Sequence, residues 1–169
     1  MAETFITHLD WTGAAKGATR DAATFSRDLE LAASGMALPL SSAPGYKGDP
    51  TRLNPEVLFV GAISACQALT YLFLAARKQI EVVAYTDDAE GVMEMVDGRM
   101  RMSRVTLRPR ITLGGEANGP DAVALIAKAN ELIGRAHDGC FIANSVSTAV
   151  RIEPSFGFAG VTSGGYVGT

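Results

Sequence analysis

Residues 54–76 read NPEVLFVGAISACQALTYLFLAA, and this stretch decides the fold. Asn54 suits an N-cap, Pro55 the first helical position, and Glu56 the positive end of a helix dipole. The pattern predicts one long helix running to about Lys78. From Val57 to Ala76 the run carries no charge, which approaches the length that spans a bilayer. Gly61, Ser64, Gln67 and Thr70 interrupt it, and the flanking sequence has ordinary globular composition. The expectation is therefore a central helix wrapped by other elements, with no membrane partner.

The chain around that helix has 169 residues, 47% hydrophobic and 20% charged, which suits one domain with a sizeable core. The net charge of −3 gives no basic face for nucleic acid. The start, MAETFITHLDW, lacks a basic segment followed by an apolar one, so no signal peptide is expected and the predicted compartment is the cytoplasm. Cys66 and Cys140 are the two cysteines, and His8 and His137 the two histidines. They lack the paired short spacings of zinc sites, so no metal is expected.

Upstream of the helix, residues 3–11 and 25–34 read as strands separated by a Gly/Ala-rich loop, and residues 41–55 as turn chemistry. Downstream, residues 79–88 form a strand and residues 92–102, VMEMVDGRMRM, a hairpin about Asp97-Gly98. That turn sets Met95 against Met100, Met93 against Met102, and Glu94 against Arg101. The methionine stripe reads either as a core face or as the lining of an apolar pocket. Residues 103–114 continue the sheet, with Pro109 marking an edge or a bulge. Residues 119–138 form an amphipathic helix with Ala122, Leu125, Ile126, Ala129, Leu132 and Ile133 on one side. A short turn or helix and a last strand lead to Pro154. The expectation is a single domain over 1–154 and a loose Gly-rich tail over 155–169. Strands and helices mix without regular alternation, so the predicted class is α+β.

The chemistry turns on the thiols. Cys66 lies mid-helix, too far from the N-terminus for the dipole to acidify it, and apolar neighbours favour an inert thiol. Activation requires something basic from another element. Glu56 stands ten residues earlier, about 15 Å along the axis, so the two side chains cannot touch within one straight helix.

The segments NPEVLFVGAISACQALTYLFLAA and AHDGCFIANSV together resemble the OsmC/Ohr family, the osmotically inducible and organic hydroperoxide resistance proteins. The shared pattern is an Asn-Pro-Glu helix start, a cysteine ten residues on, and a second cysteine before the last strand. Here these are Asn54, Pro55, Glu56, Cys66 and Cys140. FSRDLEL and GYKGDPTRLNPE resemble one branch of the family, and the likeness covers most of residues 5–152.

The resemblance implies antiparallel sheets around a long central helix in an intertwined homodimer, acting as a thiol peroxidase in peroxide detoxification and stress response. Cys66 would be the peroxidatic thiolate and Cys140 the resolving thiol, closing a redox-active disulfide that an external dithiol reduces. An arginine from an early strand would stabilise the thiolate, oriented by Glu56. Arg27 fits that position and Arg20 is the competitor. Leu69, Tyr71 and Phe73 would bind the organic hydroperoxide, and no cofactor, whether metal, haem or flavin, is implied. Leu29 and Gln67 depart from the branch pattern, where histidine or an aromatic often stands. The alternative is a non-catalytic dimer that binds small apolar ligands or responds to redox state.

Overall fold

The computed structural model describes residues 2–160 and 167–168. It divides into two compact units, residues 1–59 and 60–169, with the boundary inside the first turns of the long helix.

The first unit is built on a three-stranded antiparallel sheet of β1 (His8–Asp10), β2 (Leu29–Ala33) and β3 (Met36–Leu40). β3 went unread in the sequence. The β2–β3 turn is Ser34-Gly35, with φ of 51° and 79°, the two left-handed positions a tight hairpin demands. β2 is also shorter than the expected strand, so Arg27 lies in the preceding loop. That loop is pinned by polar contacts. The Trp11 indole donates to the Ser26 carbonyl at 2.8 Å and packs edge-on against Phe25. Asp28, buried to 7% exposure, pairs with Lys16 at 2.7 Å and with Arg52 at 3.8 Å. The Lys16 hydrogen bond is the strongest influence on the Asp28 carboxyl. Burial opposes it, Ser26 and Arg52 reinforce it, and the pKa falls below the ordinary carboxylate value.

α1 (Pro55–Arg77) starts as the sequence dictates, with the Val57 N–H donating to the Asn54 side chain at 2.9 Å. Its fully buried residues, Ile63, Gln67, Tyr71 and Ala75, recur every four positions along one stripe. The expectation of a wrapped helix meets a correction here. Only 17% of its most apolar 18-residue window is buried within the chain, and by length and composition α1 could cross a membrane. Leu69 and Phe73 are 70% and 60% exposed.

The second unit holds two sheets. β5 (Glu90–Val96), β6 (Arg99–Leu107) and β8 (Ala149–Ile152) form one; β4 (Val82–Asp87), β7 (Pro109–Leu113), β9 (Ser155–Phe158) and β10 (Val167–Gly168) form the other. The β5–β6 register is the one the turn predicts: Met95 opposes Met100, Met93 opposes Met102, and Glu94 opposes Arg101. Asp97 and Gly98 take φ of 50° and 75°. Pro109 opens β7, where the chain leaves one sheet for the other. Not all pairing is antiparallel. β8 runs parallel to β6 and β9 parallel to β7, because α2 (Ala122–Asp138) and α3 (Phe141–Asn144) intervene and return the chain in the same direction.

Ser155–Phe158 therefore belongs to the core, not to a loose tail. Parallel pairing with β7 leaves Phe156 fully buried and Phe158 nearly so. The rest of the expected tail, apart from Ala159, Gly160 and β10, lies outside the described residues.

The apolar side of α2 meets both Tyr71 and Ala75 of α1 and Ile111, Leu113, Phe156 and Phe158 of the second sheet in one continuous core. Tyr71 donates its hydroxyl to the Ala129 carbonyl at 3.3 Å, and Gln67 donates its amide to the Ile133 carbonyl at 3.2 Å. These two buried bonds fix the rotation of α1 against α2, and with it the direction in which Cys66 points.

Candidate active site

α1 turns 100° per residue, so Cys66, Leu69, Thr70 and Phe73 share a side distinct from the buried stripe. They open onto a cavity of about 680 Å³ lined also by Ala62, Leu74, Arg135, Gly139 and Phe141. Leu69 and Phe73, the expected substrate contacts, line this cavity. Tyr71 does not: five residues beyond Cys66, it faces the core, packed against Tyr85 and bonded to Ala129. None of the hairpin methionines lines the cavity.

The two cysteines, 74 positions apart in sequence, meet beside it: Cys66 lines the cavity and Cys140 is fully buried. α2 ends at Asp138, Gly139 caps it, and Cys140 becomes the N-cap of α3, its sulfur accepting from the Ala143 N–H at 3.4 Å. Both are free thiols, and the Cys140 thiol is hydrogen-bonded to Cys66.

Their surroundings are unequal. Burial pushes the Cys66 thiol up. The hydrogen bond from Cys140, the backbone N–H groups of Ile142 and Phe141, and the Thr70 hydroxyl together outweigh it, so its pKa lies below the ordinary thiol value. Cys140 moves the other way. Burial raises it first, and donating to Cys66 raises it further, against a smaller opposing effect of the Ala143 N–H. The pair therefore ionises at Cys66, with Cys140 holding the shared proton. The expected basic partner is replaced here by hydrogen-bond donors, from the turn that starts α3 and from Thr70 of α1 itself.

Arg27 and Glu56 belong to the other unit. The Arg27 guanidinium donates to the carbonyls of Ala22 at 2.7 Å and Phe25 at 2.9 Å and lies 4.3 Å over the Phe25 ring. Glu56 holds a buried carboxylate oxygen with no hydrogen-bond partner among the described residues. Arg20 forms a turn through its backbone N–H to Ala18. Among the described residues, no three histidine, cysteine or acidic side chains gather as a metal site. Sequence alone puts Thr70 at helical spacing from Cys66 but gives it no role, and it passes over Arg135 and Gly139. Position alone could have found Gly139, adjacent to Cys140.

With this geometry in view, the comparisons with known proteins decide the family. The pattern of OsmC-like proteins matches residues 48–155, more than half of the chain. The chain belongs to the OsmC-like protein family.

An OsmC-like protein of unknown function from Vibrio cholerae is 28% identical, covers 91% of this chain and 99% of its own, and superposes with a TM-score of 0.79. Among solved structures, the organic hydroperoxide resistance protein OhrB of Bacillus subtilis shares the fold at 18% identity, covering 90% of this chain and 98% of its own, with a TM-score of 0.61. An organic hydroperoxide resistance protein OsmC from Legionella pneumophila does so at 20% identity, covering 93% and 98%, with a TM-score of 0.62. The uncharacterized protein YmaD of Bacillus subtilis is 23% identical over 100 residues, which make up 59% of this chain. That match spans 64% of YmaD's length.

Proposed function

We propose that this OsmC-like protein is a cysteine peroxidase that reduces organic hydroperoxides to alcohols. The observation that carries the reading is a hydrogen-bonded pair of free thiols, with Cys66 lining an apolar cavity and Cys140 buried beside it; the Cys66 pKa is lowered and that of Cys140 raised.

In this mechanism the Cys66 thiolate attacks the terminal oxygen of a hydroperoxide. The O–O bond breaks, the alkoxide leaves and takes a proton, and Cys66 becomes a sulfenic acid. The Cys140 sulfur then attacks the Cys66 sulfur, the S–O bond breaks, and water departs as the disulfide forms. An external dithiol restores both thiols by exchange. Phe141 and Ile142 N–H groups stabilise charge on the Cys66 sulfur, as fixed dipoles do in acyl-transfer sites. Leu69 and Phe73 favour an alkyl or aryl peroxide over hydrogen peroxide. Arg27, oriented by Glu56, would add a guanidinium in the assembled protein.

The exposed apolar side of α1 supports a homodimer in which a second copy covers it. That reading removes any need for lipid around the uncharged run and fits a cytoplasmic protein.

Stopped-flow mixing with cumene hydroperoxide tests the activity. Loss of two thiols per chain, and turnover when excess dithiol is added, are expected. Cys66→Ser should abolish consumption, and Cys140→Ser should allow one turnover followed by overoxidation. Multiple turnover in Cys66→Ser would falsify the assignment. Unchanged thiols in the wild type would point to the alternative, a non-catalytic dimer whose cavity holds an apolar ligand.

A further inference from the structure

Thr70 has two arms that reach the two halves of the thiol pair. One helical turn beyond Cys66, its hydroxyl donates to the Cys66 carbonyl at 2.9 Å and is also within hydrogen-bonding reach of the Cys66 sulfur. Its methyl carbon lies near Gly139. A Cβ built on Gly139 would stand 3.3 Å from Thr70 Cγ2, slightly tighter than ordinary packing, and 3.4 Å from the Arg135 carbonyl. Gly139 immediately precedes Cys140, so the absence of a side chain there lets the Cys140 turn close onto Thr70.

We propose that Thr70 is a positioning residue for the disulfide-forming step, its hydroxyl orienting Cys66 and its methyl group setting how closely Gly139 and Cys140 approach. A β-branched side chain in a helix is restricted at χ1, and a bond to the carbonyl four residues back selects one rotamer. The hydroxyl has one proton to donate. It passes from the carbonyl to the sulfur when the sulfur is charged, because charge-assisted bonds are the stronger ones. In this role the methyl group keeps its place beside Gly139, and with it the approach of Cys140, while Cys66 changes charge. As far as it concerns peroxide, this inference rests on the function proposed above; the geometric claim does not.

Two variants separate the arms. Thr70→Val keeps the shape and removes the hydroxyl; Thr70→Ser keeps the hydroxyl and removes the methyl group. The first readout is the pH profile of Cys66 alkylation by iodoacetamide, followed by peptide mass. The second is the rate at which diamide, which oxidises thiol pairs without peroxide, closes the Cys66–Cys140 disulfide.

Thr70→Val should move the alkylation profile to higher pH by about one unit, the size of one lost hydrogen bond to a charged group. Thr70→Ser should keep the wild-type profile but close the disulfide several-fold more slowly. After hydroperoxide treatment it should accumulate more Cys66 sulfinic acid than wild type. Profiles and closure rates equal to wild type in both variants overturn the proposal, as does a Thr70→Ser variant whose only change is a lower melting temperature. If wild type consumes no hydroperoxide while the alkylation and diamide results appear as expected, the peroxidase reading fails and the positioning role stands.

Discussion

Replacing Cys140 by alanine should make Cys66 a poorer nucleophile even in reactions where no disulfide can form. The hydrogen bond from the Cys140 thiol is the largest influence lowering the Cys66 pKa, ahead of the Ile142 and Phe141 N–H groups and the Thr70 hydroxyl. A hydrogen bond to a charged group contributes about 1.5–3 kcal/mol, and each pKa unit corresponds to about 1.4 kcal/mol. Water entering the vacated space recovers part of this, so a rise of about one unit is expected. Below both pKa values, thiolate abundance then falls about tenfold, and the alkylation rate at Cys66 with it. Iodoacetamide labelling across pH, quantified on the Cys66 peptide, measures this directly. Cys140→Ser retains a donor and should fall between wild type and Cys140→Ala. Both variants alter the sulfur that caps α3 through the Ala143 N–H, so melting curves must accompany the labelling. An alanine profile that coincides with wild type, or shifts to lower pH, would refute the claim that Cys140 holds Cys66 ionised.

Leu113→Ala removes a fully buried side chain from the β7 core and should cost about 2–5 kcal/mol in urea unfolding. Gly98→Ala forces a side chain into φ of 75° at the β5–β6 turn and should cost about 1 kcal/mol, read as a lower denaturation midpoint. Lys16→Met removes the main influence lowering the Asp28 pKa. A depressed carboxylate stabilises the fold above its unfolded pKa, and that contribution is lost as pH falls through the folded one. The variant should therefore acid-unfold at higher pH than wild type, followed by circular dichroism.

Local chemistry made several elements legible. Asn54, Pro55 and Glu56 set the start of α1, and Asp97-Gly98 fixed the methionine hairpin to the residue, because capping and tight turns depend on a few adjacent residues. The Ser34-Gly35 hairpin was missed because Ser34 is an unusual choice for a left-handed position. β9 was missed because SFGF lies beside glycine-rich sequence and owes its strand to a partner, β7, more than forty positions earlier.

By itself the sequence determined the family, the α+β class and the two sulfurs on which the proposed function rests, since each is a pattern of residue types at fixed spacing. Only the tertiary structure decided that those sulfurs are hydrogen-bonded, that their surroundings push the two pKa values in opposite directions, that Tyr71 faces the core, and that Thr70 and Gly139 line the cavity with Cys66. These depend on how α2 rotates α1 and on where the α3 turn places its N–H groups. Such non-local geometry is fixed by packing, which no spacing along the chain records.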